Sequence, residues 1–465
     1  MGRTRNTRLE AVIQEWGLSQ RQLAARFRAV AAENGATELL RYDQSRIARW
    51  IGGAIPEGRA AHILAETLSR GLGRTITLTD IGLAPDDAAD PQAPAWSVDT
   101  LATLATLGST DMDIARRQVL AQSAYSVAGL ALPSETWWQE AADRARTRKP
   151  LSNHTVTAED VASVREMTAF LSQRDQQRGG RGVGRAALVA YLRTDVAELL
   201  AARFPSDSLR LDMTSAAAEL AYLAGWTSFD AGEHPIALRW LTLATQLAEE
   251  AGDAPLAGHV LRAMAHQAVD LHQPAEAVRL AEGSLSSRRY TEACWREKAL
   301  LGVVHARGLA AAGDKKRAAV ALNRAESDLG RATDSGDEPA RVWFFGEASL
   351  AHETAAALRD LGDLKGAERE FKRSVRTRRQ QFKRTHSVTL GYLGEVQVRQ
   401  GQLDAACATW HQALDTMTGV QSGRARETVV QMRRALSPVL RRGGGPAADL
   451  DARARAVLAD KRPVR

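Results

Sequence analysis

Apolar residues in the first fifty positions recur at the three-to-four spacing of a helix face. Leu9, Val12, Ile13 and Trp16 fall at i, i+3, i+4 and i+7, which predicts a first helix over residues 5–16, ended by Gly17. In "SQRQLAARFRAV" Ser19 precedes Gln22 by three positions, a capping-box spacing, and Leu23, Phe27 and Val30 continue the inner face of a second helix. After "ENGATELLRY" a third helix opens at Asp43, its predicted N-cap, with Ile47, Trp50 and Ile51 on one side. Ser45 and Arg49 lie opposite, with Arg46 on the flank and Gln44 in the first turn. Residues 57–71 supply a fourth helix through Ile63, Leu64 and Leu68. No stretch alternates Val, Ile and Thr as a strand does, so the pattern predicts an all-α protein.

A longer period governs the second half. The turn residues Gly232, His272, Gly313, Gly362 and Gly401 are spaced 40, 41, 49 and 39 apart. Seven positions before them stand Gly225, Ala265, Ala306, Ala355 and Gly394, and five after stand Ala237, Ala277, Ala318, Ala367 and Ala406. Twelve after stand Ala244, Ser284, Ala325, Ser374 and Ala413. All of these are small, and small residues at matched places let two antiparallel helices approach closely. Leu241, Leu322, Phe371 and Trp410, nine after their anchors, are large enough to fill the space between pairs. The interval of 49 requires an insertion near "RATDSGDEPA". The resulting organisation is a head at 1–83, a linker at 84–99, connecting helices at 100–156, a repeat solenoid with a closing helix at 157–442, and a flexible tail at 443–465.

The net charge of +7 and pI near 9.6 suit an acidic partner. Residues 1–80 alone hold twelve Arg, no Lys and eight acids, an excess of +4. The two cysteines, Cys294 and Cys407, provide no disulfide framework and suit a reducing cytoplasm. No apolar stretch is long enough for a membrane span and no secretory signal is visible, so a cytoplasmic, nucleoid-associated protein is expected. The glycines of "QQRGGRGVGR", residues 176–185, lack the preceding strand and following Lys-Ser/Thr of a nucleotide loop and read as an inter-helix turn. No nucleophilic, paired-carboxylate or metal-ligand constellation stands out, so no catalytic residue, metal or cofactor is assigned.

"GLSQRQLAARF" followed by "SRIARWIGGAIP" resembles the helix-turn-helix of bacterial repressors of the xenobiotic-response type, with an insertion of roughly ten residues in place of the short turn. The resemblance implies that Gln20 contacts phosphate and that Gln44, Ser45, Arg46 and Arg49 read bases in double-stranded DNA. The repeats resemble the tetratricopeptide repeat over roughly residues 211–420. Head and repeats together resemble two groups of regulators. One is the cytoplasmic peptide receptors of Gram-positive bacteria, whose repeats bind a signalling peptide and dimerise the protein. The closer, through "RYDQSRIARWIGGAIPEGRA" and "ARRQVLAQSAYSVAGLALP", is the actinobacterial helix-turn-helix and tetratricopeptide regulators. The architecture implies a homodimer. A concave groove along the first helices is expected to contain Tyr222, Trp226, Asp230, His259, Arg262, His266, Arg307, His352 and Arg359. Such a groove suits a peptide, a polar small molecule or a protein partner, and its alternative is an ordinary solvated surface. The basic stretch Lys372 to Arg384 reads either as a contact for DNA or an acidic partner or as a solvated helix. The functional expectation is a sequence-specific transcriptional regulator, and the alternative is an interaction scaffold with an incidental head.

Overall fold

The computed structural model describes all residues except 1–3, 34–35, 58, 73–75, 84–95, 97–98, 114–115, 118–119, 121–131, 334–337, 441–444 and 460–465. Most of the linker, Gly35 and the centre of the inserted stretch "RATDSGDEPA" therefore lie outside the described residues. Helix follows helix along the chain, and among the described residues the one β feature is an isolated bridge between Thr155 and Arg203.

The head holds α1 (Thr7–Trp16), α2 (Gln20–Glu33), α3 (Gln44–Ile51) and α4 (Ala60–Leu72). α1 starts two residues later than the apolar spacing suggests because Asn6 caps it, its side chain accepting from the Leu9 amide. Ser19 and Gln22 form the reciprocal pair expected at the start of α2, the Gln22 amide donating to the Ser19 hydroxyl and the Ser19 amide to Gln22 Oε1. The apolar positions predicted for the four helices gather in one cluster around Phe27 and Trp50, whose rings pack edge to face at 5.4 Å. The segment between α2 and α3 contains a short 3₁₀ turn, Thr37–Leu39, and buries Ala36 and Leu39 in the same cluster.

α5 (Thr100–Met112) and α6 (Glu135–Arg146) pack on the repeats, and Trp96, Trp137 and Trp138 meet edge to face with ring separations of 4.8–6.3 Å. α7 (Ala158–Arg178) and α8 (Val183–Tyr191) lead into five helical hairpins among the described residues. These are α9 (Asp207–Asp230) with α10 (His234–Glu250), α11 (Ala254–Asp270) with α12 (Pro274–Ser284), and α13 (Trp295–Ala311) with α14 (Lys315–Gly330). α15 (Glu347–Asp360) with α16 (Leu364–Thr377) and α17 (Lys383–Arg399) with α18 (Leu403–Thr416) complete the series.

The five anchors all adopt positive φ, from 56° at His272 to 88° at Gly362. At each, the next residue donates its amide to a carbonyl five positions back at 2.9 Å, as Glu233 does to Ser228. All fifteen small positions are buried. At Gly394 a Cβ would sit 2.2 Å from Trp410 Nε1, and at Gly225 2.7 Å from Leu241. Gly394→Ala is therefore expected to lower stability by roughly 1–3 kcal/mol through overpacking, measured as a shifted urea midpoint, whereas Ala355→Gly at the equivalent place lacks that clash.

α19 (Gly423–Leu440) is the closing helix, and α20 (Gly445–Ala459) corrects the expected tail. Residues 445–459 are not a loose extension: Ala447, Leu450 and Ala454 are buried in the last core cluster, and Arg433 bonds Asp451 at 2.7 Å. The apolar face of α20 is small and interrupted by charges, which conceals it beside the Gly-rich run that precedes it.

Candidate functional site

On the head, α3 buries Ile47, Trp50 and Ile51 and leaves Gln44, Ser45, Arg46 and Arg49 exposed along its other side. Gln20 is exposed at the first position of α2. Asp43 caps α3 and accepts from both the Ser45 amide and its hydroxyl, at 3.0 and 2.6 Å, which keeps the Asp43 carboxyl below its ordinary range. The Arg46 guanidinium lies 4.9 Å from the centre of the Tyr42 ring, and Tyr42 in turn stacks on Phe27. One of the exposed arginines is thus held by an aromatic face without losing its hydrogen-bonding fork.

The solenoid interior departs from the expected open groove. The segment inserted before α15 folds inward through the 3₁₀ turn Ala340–Val342 and the residues Trp343, Phe344 and Phe345. Arg341 bonds both carboxylate oxygens of Glu297 at 2.8 and 3.0 Å, reaches Glu219 at 3.3 Å, and lies 3.6 Å from Asp253. It therefore ties together the first three hairpins. Trp343 donates its indole N–H to Ser172 on α7, and Phe344 faces the His259 ring.

Behind this plug runs a buried polar chain. His259 Nδ1 lies 3.0 Å from Glu297 and its Nε2 3.0 Å from an Arg262 N–H, an arrangement that fits a neutral imidazole donating to Glu297 and accepting from Arg262. Burial and the neighbouring Arg262 push His259 down to about 4. Burial alone raises Glu297, but Arg341 and the His259 bond outweigh it and hold the carboxyl at about 2. Arg262 also donates to the Tyr222 hydroxyl at 2.9 Å. His266 and His352 are both depressed well below 6.5 by burial and by surrounding arginines, Arg307 foremost for His266 and Arg378 for His352.

The two ends of the repeat series meet. Arg384 on α17 bonds Asp175 on α7 at 3.0 Å and Asp230 at the end of α9 at 3.3 Å, and all three are buried. Ser422 donates to the same Asp230 at 2.8 Å, and the Gly180 amide donates to its other oxygen at 3.0 Å. The loop 176–185 exchanges two backbone hydrogen bonds with Gln421: its amide reaches the Arg178 carbonyl at 2.5 Å and its carbonyl accepts from Arg181 at 3.1 Å. Gly179 and Gly182 have φ of 87° and 94°, and a Cβ on Gly180 would lie 2.3 Å from the Thr227 carbonyl oxygen. The glycines of "GGRG" thus serve a backbone-to-backbone clasp. Burial, reinforced by Asp230 and opposed by Arg384, raises Asp175 to about 6.

These positions revise the expected ligand set. Tyr222, Asp230, His259, Arg262, His266, Arg307 and His352 are buried, while Trp226 and Arg359 are half-buried, so none lines an open trough. The physical reason is twofold: the insertion places Phe344 against His259, and Arg384 on α17 and Arg424 on α19 lie over Trp226 and Phe229, with Arg424 reaching His266. Asp230 belongs to the clasp, and Arg359 bonds its neighbour Asp360 and sits over Tyr392. The stretch Lys372 to Arg384 is likewise split: Lys372, Arg376, Arg379 and Lys383 are exposed, but Arg378 and Arg384 turn inward. Arg341, Arg384 and Arg424 escape sequence reasoning because their partners are distant in the chain, and Arg378 because it turns inward onto the Ser374 hydroxyl and the Ala348 carbonyl.

A family model described as the SP15 N-terminal domain matches residues 9–84. No curated protein matches the chain. A crystal structure of nearly identical tetratricopeptide-like repeats, from a putative kinesin light chain of Podosopora anserina, aligns with 19% identity and a TM-score of 0.32, covering 45% of this chain and 99% of that one. A crystal structure of a single-substitution variant of the same repeats aligns with 18% identity and a TM-score of 0.33, covering 45% and 97%. Among the described residues no helix is long and apolar enough to cross a membrane.

Proposed function

We propose that the chain acts by binding rather than catalysis, as a helical-repeat interaction protein whose head carries a second binding surface, for double-stranded DNA. The observation that supports the DNA reading is the face of α3: Gln44, Ser45, Arg46 and Arg49 exposed on a helix whose opposite side is locked by Ile47, Trp50 and Ile51. Arg can bond both acceptors of guanine and Gln both groups of adenine, and a helix fits the major groove. Gln20 supplies a phosphate contact from α2. In a homodimer the two heads would take half-sites about 34 Å apart or a multiple of that, and regulation of transcription follows if partner or ligand binding alters the solenoid.

Selection of duplexes from a random DNA pool tests this, with the full chain beside an Arg46→Ala, Arg49→Ala variant. A consensus recovered by the parent and lost by the variant is expected, each arginine that pairs a guanine contributing about 1–3 kcal/mol. Recovery of the same weak, salt-sensitive pool by both would end the DNA reading.

The second reading is a scaffold that docks proteins through its repeats, with no role for the head. It is favoured by an outer groove of about 290 Å³ between α13 and α14, walled by Leu285, Leu309, Ala321 and the exposed Val320. A scaffold keeps its partner when Arg46 and Arg49 are alanine and loses it when Val320→Asp places a charge on the groove.

A further inference from the structure

The solenoid interior keeps a cavity of about 50 Å³ lined by Arg262, Arg378, Arg384, Arg424, His266 and His352, with Trp226, Phe344 and Glu353 among its other walls. Three nearby arginines have acidic partners. Arg384 holds Asp175 and Asp230, Arg307 bonds Glu353 at 3.0 Å and Asp270 at 3.4 Å, and Arg424 lies 3.4 Å from Asp270. Arg262 and Arg378 have none: among the described residues no carboxylate oxygen comes within ion-pair distance of either. Arg262 is 2% exposed and Arg378 9%, and the Nε–H of each has no hydrogen-bond acceptor. The remaining bonds of Arg378 go to neutral oxygens, the Ala348 carbonyl at 2.8 Å and the Ser374 hydroxyl at 2.9 Å.

Four arginines line the cavity against one carboxylate, Glu353; Arg384 and Arg424 pair with acids behind the wall, and Arg262 and Arg378 keep a buried charge with no ion-pair partner among the described residues. Removing an arginine from water without a counter-charge is costly, and the guanidinium does not escape by deprotonation near neutral pH. Burial does lower Arg378, but only to about 10. The vacant N–H groups sit on planar forks suited to a tetrahedral or carboxylate oxyanion. A water needs on the order of 10–15 Å³ in such a cavity, so this one holds a few waters or one small polyatomic ion, and excludes a peptide.

We propose that this cavity binds a small tetrahedral oxyanion, a phosphate group free or at the end of a small phosphomonoester, held by Arg262 and Arg378 with Arg384 and Arg424 beside them. The inference is independent of whether the head binds DNA. Because Arg262 lies on α11, Arg378 follows α16, Arg384 lies on α17 and Arg424 on α19, the anion would join the second hairpin to the last hairpin and the closing helix.

Isothermal titration of the full chain with inorganic phosphate and with methyl phosphate, at constant ionic strength set with chloride, tests it. Saturable binding is expected, weakened tenfold or more in Arg262→Met and in Arg378→Met. Binding of both probes points to a phosphomonoester, and binding of inorganic phosphate alone to the free ion. Hydrogen exchange on the unaltered chain gives a readout that does not depend on how the variants fold: phosphate should protect residues 374–390 and 420–426. No saturable binding, equal affinity in folded parent and variants, or protection confined to residues 20–50 of the head would overturn the proposal.

Discussion

Arg384→Ala is expected to lower the stability of the repeat region by roughly 3–5 kcal/mol, the scale for removing one partner of a buried ion pair. The guanidinium serves two carboxylates that are themselves buried, Asp175 and Asp230, and its Nε also reaches the Asp175 carbonyl at 3.3 Å. Without it two buried acids remain close together with no paired guanidinium, and the clasp keeps Ser422, Gly180, the Gln421 backbone and the Thr385–Gln176 and Arg181–Ala231 bonds. Urea denaturation gives the loss directly. Hydrogen exchange should show α7 and the start of α19 opening together while α11 to α14 stay protected. A change below about 1 kcal/mol, or exchange spread evenly over the hairpins, would mean that the ends do not depend on this contact.

Arg341→Ala is expected to cost a similar 3–5 kcal/mol or so near pH 7, roughly the same buried-pair scale, for a reason that pH can separate from packing. Glu297 is fully buried and held at about 2, with Arg341 as the main source of that depression. A carboxyl depressed in the folded chain contributes stability above its unfolded value near 4.5, and that contribution is lost as pH falls toward 2. Removing Arg341 leaves burial to dominate and raises Glu297 above the unfolded value. The sign then reverses, and stability falls as pH rises through the range near and above 4.5. The gap between parent and variant should therefore be wider at about pH 7 than at about pH 4. A constant gap across that range would assign the loss to packing of the side chain alone.

The hairpins are legible in the sequence because their determinants are local and repeated. A turn needing positive φ, a small residue seven before and another five after recur on a fixed interval, and each proves buried or left-handed in the folded chain. The amphipathic face of α3 is legible for the same reason. The interior is not. Periodicity places His259, Arg262, His266 and His352 on the inner side, but it carries no information about what covers them. Part of the cover comes from Arg341, Trp343 and Phe344, in a segment with no period of its own, visible only as an interval of 49 instead of about 40. Arg384 reads with its basic neighbours as a surface charge, because its partner Asp175 lies 209 positions earlier. The clasp glycines read as a turn, though nothing in "QQRGGRGVGR" points to Gln421.

That separation has a consequence during synthesis. Hairpins whose contacts are nearest-neighbour can settle as they leave the ribosome. Asp175 cannot find Arg384 until 209 more residues have been added, a delay of roughly 10–40 s at ordinary elongation rates. Through that interval Asp175 and the Arg181 amide wait on a nascent chain whose far side does not yet exist, while Asp230 arrives early enough to take the Gly180 amide, so the last hairpin and Gln421 complete a structure that the first has been holding open.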